Sequence, residues 1–281
     1  MSKFTKLTEL IQDLPAAYKV KATALVTRMG EVIEGISDKP LVWSPPTLKL
    51  VQATSDRSKL PKGANIGSLV LGEAVVASPV KLIPLRAYIT RQMWNPDNEI
   101  ISMICSSPDG LTGFRYGTCK TCPHQKFDEI EKRSACNKTL TVISVMEDLS
   151  EIFFTNFSKT NYANGLDWQS LMKKAGVSPY KRVYELTALT SPKVKNVEIT
   201  KIEPVTGNNV VHEKVMPFVE ELYKMAGDNR IDSLTSFYEY VDNKKADSQL
   251  LLESSTDTDT VTLITAEESS AKPTSTGGYT L

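Results

Sequence analysis

Residues 139–158, TLTVISVMEDLSEIFFTNFS, decide the fold. Apolar and polar residues alternate from Thr139 to Met146 and again from Glu151 to Ser158. That is the period of two of a strand with one buried face. The acidic MEDLSE between them is the expected turn. The period then changes. GLDWQSLMKKA, Gly165 to Ala175, puts Trp168, Leu171 and Met172 on one helical stripe, with Asp167 as the expected N-cap and Gly176 as the stop. RVYELTALTS and KVKNVEITKIEPV, joined at Ser191-Pro192, return to alternation. Strand, strand, helix, strand, strand, with extended pieces ahead of it, predicts a mainly β (α+β) chain. Its centre would be a small OB-like β-barrel carrying a helix between its third and fourth strands.

Upstream, Leu7 to Tyr18 begins as a short amphipathic helix with Thr8 as a possible N-cap and Pro15 as its stop or kink. TALVTRMGEVIEGI mixes helix and strand signals. LKLVQ alternates like a strand, and SDRSKLPKGANIG after it reads as a polar loop holding Arg57, Lys59 and Lys62. From Glu73 to Trp94, Pro79 and Pro84 argue against a long helix and against a central strand, which leaves edge or bulged strands. If LRAYITRQMW is a strand, Arg86, Tyr88, Thr90, Gln92 and Trp94 share one face. Rings, a cation and hydrogen-bonding groups would then stand together, with Lys81 and Arg91 close by. Core filling by Tyr88 and Trp94 is the competing expectation.

All four cysteines lie in ICSSPDGLTGFRYGTCKTCPHQKFDEIEKRSAC: Cys105, thirteen residues, Cys119, two residues, Cys122, thirteen residues, Cys136. A C-x-x-C pair with two outlying cysteines suits four thiolates around a tetrahedral zinc ion. Such a closed set has no open position for water or substrate, so the expected zinc is structural. Reduced core cysteines are the alternative. Ser107-Pro108-Asp109-Gly110 is a strong turn. Phe114, Arg115, Tyr116, Lys120, Lys126 and Phe127 stand between the ligands, and could extend a binding groove. His124 is expected outside the ligand set.

The formal net charge is zero, but it is unevenly spread. From Asp247 to Leu281 six acids (Asp247, Glu253, Asp257, Asp259, Glu267, Glu268) face Lys272 alone, leaving five net negative charges, so the first 246 residues carry five net positive ones. A basic body with an acidic tail hints at nucleic-acid work. No signal-like or membrane-spanning apolar run is found, so a reducing cytoplasm is the expected compartment. Phosphate-loop, dinucleotide, serine-hydrolase and zinc-protease motifs are missing, and the chain has two histidines. The expectation is a non-enzyme.

On PTLKLVQATS, VKLIPLRAY, CSSPDG, CKTCP and the final AC, the stretch from Trp43 to Gly176 resembles a group of bacteriophage single-stranded DNA-binding proteins. Lys126-Phe127-Asp128 stand where that pattern has a tryptophan and a glycine. The resemblance implies an accessory protein of phage DNA replication or recombination, working in the host cytoplasm. Single-stranded DNA would be its ligand, and replication, recombination or transcription proteins could bind its acidic tail. The alternatives are a zinc-stabilised protein-interaction module and a metal-dependent nuclease.

The organisation expected is an N-terminal arm (1–40), an OB-like core (41–205) with a zinc-binding insertion (105–136), C-terminal helices (206–243) and a disordered acidic tail (244–281).

Overall fold

The computed structural model describes residues 4–30, 45–52, 55–94, 103–126, 129, 134–190, 198–204 and 210–228. All fall within Met1–Tyr238, the first of two units into which the chain divides; the second is Glu239–Leu281. The acidic tail, the expected C-terminal helical region beyond residue 228 and Phe127 lie outside the described residues.

In chain order the elements are α1 (Thr5–Ile11), α2 (Ala16–Gly30), β1 (Thr47–Leu50), β2 (Leu69–Leu71), β3 (Ala74–Val76), β4 (Val80–Trp94) and β5 (Met103–Ser107). Next come β6 (Thr112–Gly113), β7 (Gly117–Thr118), β8 (Cys136–Met146), β9 (Ile152–Ser158), α3 (Tyr162–Lys174), β10 (Tyr184–Thr190) and β11 (Glu198–Pro204). Helical residues 216–228 form α4. The protein is mainly β, with four helices among the described residues and a curled half-barrel sheet compatible with an OB-like fold. The sheet order is β11-β10-β4-β8-β9-β1-β2-β3, with β5 on β4.

The alternating runs behave as expected: β8 and β9 pair antiparallel from Thr139↔Ser158 to Val145↔Ile152. Leu149 takes φ 62° in the acidic turn between them. β10 pairs along its whole length with β11. Two local expectations need correction. The helix after β9 begins at Tyr162, so Asp167 sits inside it, and Asn161 occupies the cap, its side chain accepting from the Asn164 amide at 2.8 Å instead of from a backbone N–H. Thr8 is likewise inside α1, where its hydroxyl donates to the Phe4 carbonyl at 3.1 Å. A Thr or Asp side chain serves backbone donors as a cap only ahead of the first turn.

β4 pairs with β8 from Leu82↔Met146 to Met93↔Cys136, and between residues 83 and 90 its other side is, among the described residues, an unpaired edge, as its prolines predict. Its register shifts between Pro84 and Arg86, with Leu85 as the extra residue, so the expected bulge is present. On its other side β10 pairs with residues 80–82 and β5 with residues 91–94. Pro84 therefore falls between those two partners, where its missing N–H costs the outer ladder nothing.

The sheet separates two cores. On one face α1, α2 and α4 bring Leu7, Ile11, Leu25, Phe218 and Leu222 against Ile83, Leu85, Ile143, Val145 and Ile152. On the other, Trp168 and Met172 of α3 pack with Leu82, Leu140, Val142, Phe153, Phe157 and Tyr184. Burying each such large side chain contributes about 1.5–3 kcal/mol. Gly165 lets α3 approach β9: a Cβ there would stand 2.7 Å from that of Phe157. α2 is tied to the β8–β9 turn by Arg28, which donates to Glu151 at 2.6 Å, and by Lys21, 2.5 Å from Asp148. No helix among the described residues is long and apolar enough to cross a membrane.

Candidate functional site

The strand registers set Tyr88 opposite Thr141 and Thr141 opposite Asn156, then Thr90 opposite Thr139 and Thr139 opposite Ser158. These residues, with Gln92 and Phe154, line an open concavity of about 360 Å³ on the outer face of β4, β8 and β9. It continues the face that the three helices cover farther up the strands. Tyr88 and Phe154 mark the border, since both pack partly against the helix-covered core. Beyond them the lining is hydroxyl and amide, and Thr141 donates to the Asn156 side-chain oxygen at 2.8 Å. Trp94, two residues past Gln92, follows on the same face and is 41% exposed. It pairs with Met103, which is also exposed, next to an irregularity that leaves Ile104 as the extra residue of β5.

The expected common face of Tyr88, Thr90, Gln92 and Trp94 therefore exists. Arg86 is engaged elsewhere: its guanidinium lies 3.6 Å from the Tyr223 ring centroid, and its Nε donates to the Tyr223 carbonyl at 3.3 Å. Lys81 stands at the start of β4, 3.9 Å from Glu147. Arg91 points to the opposite face, where it donates to the Gly110 carbonyl at 3.2 Å and borders the cysteines. Sequence reading passed over Thr139, Thr141, Phe154, Asn156 and Ser158, whose alternation was legible but whose outward parity only the register fixes. It also passed over Lys49. Thr47 pairs with Phe154 in parallel register, so Lys49, two residues on and exposed, shares this outer face.

The cysteine segment forms a knob beneath the β4–β5 end. Asp109 accepts from the Ser107 hydroxyl and from the backbone N–H of Leu111 and Thr112 at 2.8–2.9 Å. Gly110 takes φ 73° and completes the turn expected at Ser107–Gly110. All four cysteines line one small cavity of about 20 Å³, together with Arg91, Met93, Gly113 and His124. A Cβ on Gly113 would stand 2.9 Å from the Cys105 sulfur and 3.8 Å from that of Cys119. Glycine there lets the β6–β7 hairpin close over the thiols.

Burial pushes the Cys136 thiol up; Arg91 opposes this, while charge on Cys119 or Cys122 adds to it. Among the described residues no group of three or more His, Cys, Asp or Glu is placed to hold a metal ion. Four thiolates suit zinc chemically, and the four cysteines line one cavity without being gathered into a ligand cluster. On the outside of the knob Arg115 lies 5.7 Å from the Tyr116 ring centroid, and the Tyr116 and His124 rings meet at 4.6 Å with their planes tilted by 47°. Lys120 and Lys126 are exposed beside them, and Phe114 is half-buried.

No known protein family, curated protein or solved structure matches the chain.

Proposed function

We propose that the protein binds single-stranded DNA, without catalysis, on the outer face of β4, β8 and β9. The observation that carries this reading is the change along that face from buried aliphatic residues to Tyr88, Phe154 and Trp94 set among threonine, asparagine and glutamine side chains. Rings offer every base a stacking surface, and hydroxyls and amides meet base edges and sugar without fixing a sequence. The order β4, β8, β9, α3, β10, β11 is that of an OB-like barrel, and the outer side of its second and third strands is where such barrels hold single strands. The resemblance noted over residues 43–176 supports the same reading, with the protein as an accessory of phage DNA replication or recombination.

The knob is proposed as a structural zinc site of Cys105, Cys119, Cys122 and Cys136. A dication would hold the four as thiolates and cross-link the β6–β7 hairpin to the ends of β5 and β8. Such a closed set would leave the metal no catalytic role.

Fluorescence anisotropy of a labelled oligothymidylate tests the function. Binding that weakens steeply with salt supports it. Absence of binding at about 50 mM salt, where phosphate contacts are strong, sinks it in favour of a protein-interaction module. Shortening of the probe would instead support a nuclease. Metal analysis tests the knob: about one zinc per chain is expected, and none would return the cysteines to the core.

A further inference from the structure

Resting on the reading of the open face as a single-strand platform, we infer that the phosphate backbone passes over Lys49 and is held by the loop between β1 and β2, with Arg57 and Lys62 as its main cations. The need for such a site comes from the platform itself. Among the described residues no lysine or arginine lines the concavity. The β4 cations are committed elsewhere: Arg86 to Tyr223, Arg91 to the cysteine side, Lys81 to the neighbourhood of Glu147. Stacking rings without phosphate contacts would give weak binding that hardly responds to salt.

The N-terminal hairpin offers cations on the platform's side of the sheet. β1 lies beside β9, at the rim of the concavity, and presents Lys49 on the same face. The chain then enters a loop whose cavity, about 220 Å³, is lined by Arg57, Lys62, Asn65 and Gln52 over an apolar floor. From Lys49 to Gly72 there are four cations, Lys49, Arg57, Lys59 and Lys62, and one acid, Asp56. That acid is engaged: it accepts from the Ser58 N–H and hydroxyl at 3.0 and 2.7 Å and lies 3.4 Å from Lys59. Its charge therefore offsets Lys59 most directly.

The loop is also held in shape. The Gln52 N–H donates to the Ser55 hydroxyl and the Asn65 N–H to the Ser68 hydroxyl, both at 2.9 Å, and the Gly67 N–H donates to the Val51 carbonyl at 2.9 Å. A site held this way loses little freedom when an anion arrives.

The test is anisotropy of the full chain with a labelled oligothymidylate over a range of salt. Wild type is compared with R57Q/K62Q, with K62Q alone, and with K173Q/K174Q on the exposed side of α3 as a control. Melting curves check that each variant folds. Each lost phosphate contact lowers the slope of log affinity against log salt by about 0.7 for a single strand. R57Q/K62Q is expected to lower it by about 1.4, K62Q by about 0.7, and the control by nothing. Wild-type binding with an unchanged slope in R57Q/K62Q, or an equal fall in the control, overturns the loop as the phosphate site while leaving the platform standing. No wild-type binding overturns both.

Discussion

The two ends of one sheet face differ more than the two faces do. At one end Ile83, Leu85, Ile143, Val145 and Ile152 lie beneath three helices. Farther along the same strands Thr90, Gln92, Thr139, Asn156 and Ser158 border open solvent. The backbone ladder is continuous across the change, so secondary structure does not mark the boundary. Side-chain chemistry does: the helices stop where the strands stop offering apolar surface. On the proposed function the division leaves stability to one end and recognition to the other, and it can be broken experimentally.

The largest effect is expected inside. Phe153→Ala, which empties a fully buried site, should cost about 3–5 kcal/mol, read as a lower urea midpoint. Gly165→Ala should cost about 1–3 kcal/mol by forcing α3 off Phe157; a neutral result would mean that the helix can shift. At the open end Trp94→Ala should weaken oligothymidylate binding by about 1–3 kcal/mol while the melting temperature stays nearly constant. A large loss of stability with unchanged binding would move Trp94 into the core and blur the boundary.

The smallest effect concerns pH. Burial opposes ionisation of Asp148, but Lys21 and the Ser150 hydrogen bonds outweigh it and hold the carboxyl below its usual range. A depressed carboxylate stabilises the fold above its unfolded pKa, about 3.9, and that contribution fades as pH falls through the lower folded value. The pair is half-exposed, so it contributes only about 0.2–1 kcal/mol. Asp148→Asn should lower the melting temperature slightly at neutral pH, and the difference from wild type should vanish in acid.

Much of this division was legible in sequence, because alternation reports which strand residues share a face. The β8–β9 hairpin, β10 and the outward set on β4 follow from it. Two things did not. Arg86 looked available because Tyr223, which takes it, comes 137 residues later. Lys49 looked like a solitary cation in LKL, since only the pairing of Thr47 with Phe154 places it beside the concavity. In each case the missing information is a contact distant along the chain. The cysteines stand between: their spacing was plain, and they share a cavity, but spacing alone does not build a coordination sphere.

The parallel pairing of β1 with β9 also sets an order of assembly. Thr47 finds Phe154 across about a hundred residues of chain, whereas β8 and β9 meet through a short turn. Contacts so remote in sequence form slowly, because the loop must lose its freedom before the pairing rewards it. The hairpin carrying Lys49 and Arg57 is therefore the late arrival, and until it docks β9 presents a bare edge to other chains. Removing residues 47–76 should leave a protein that self-associates through β9, visible as concentration-dependent sedimentation.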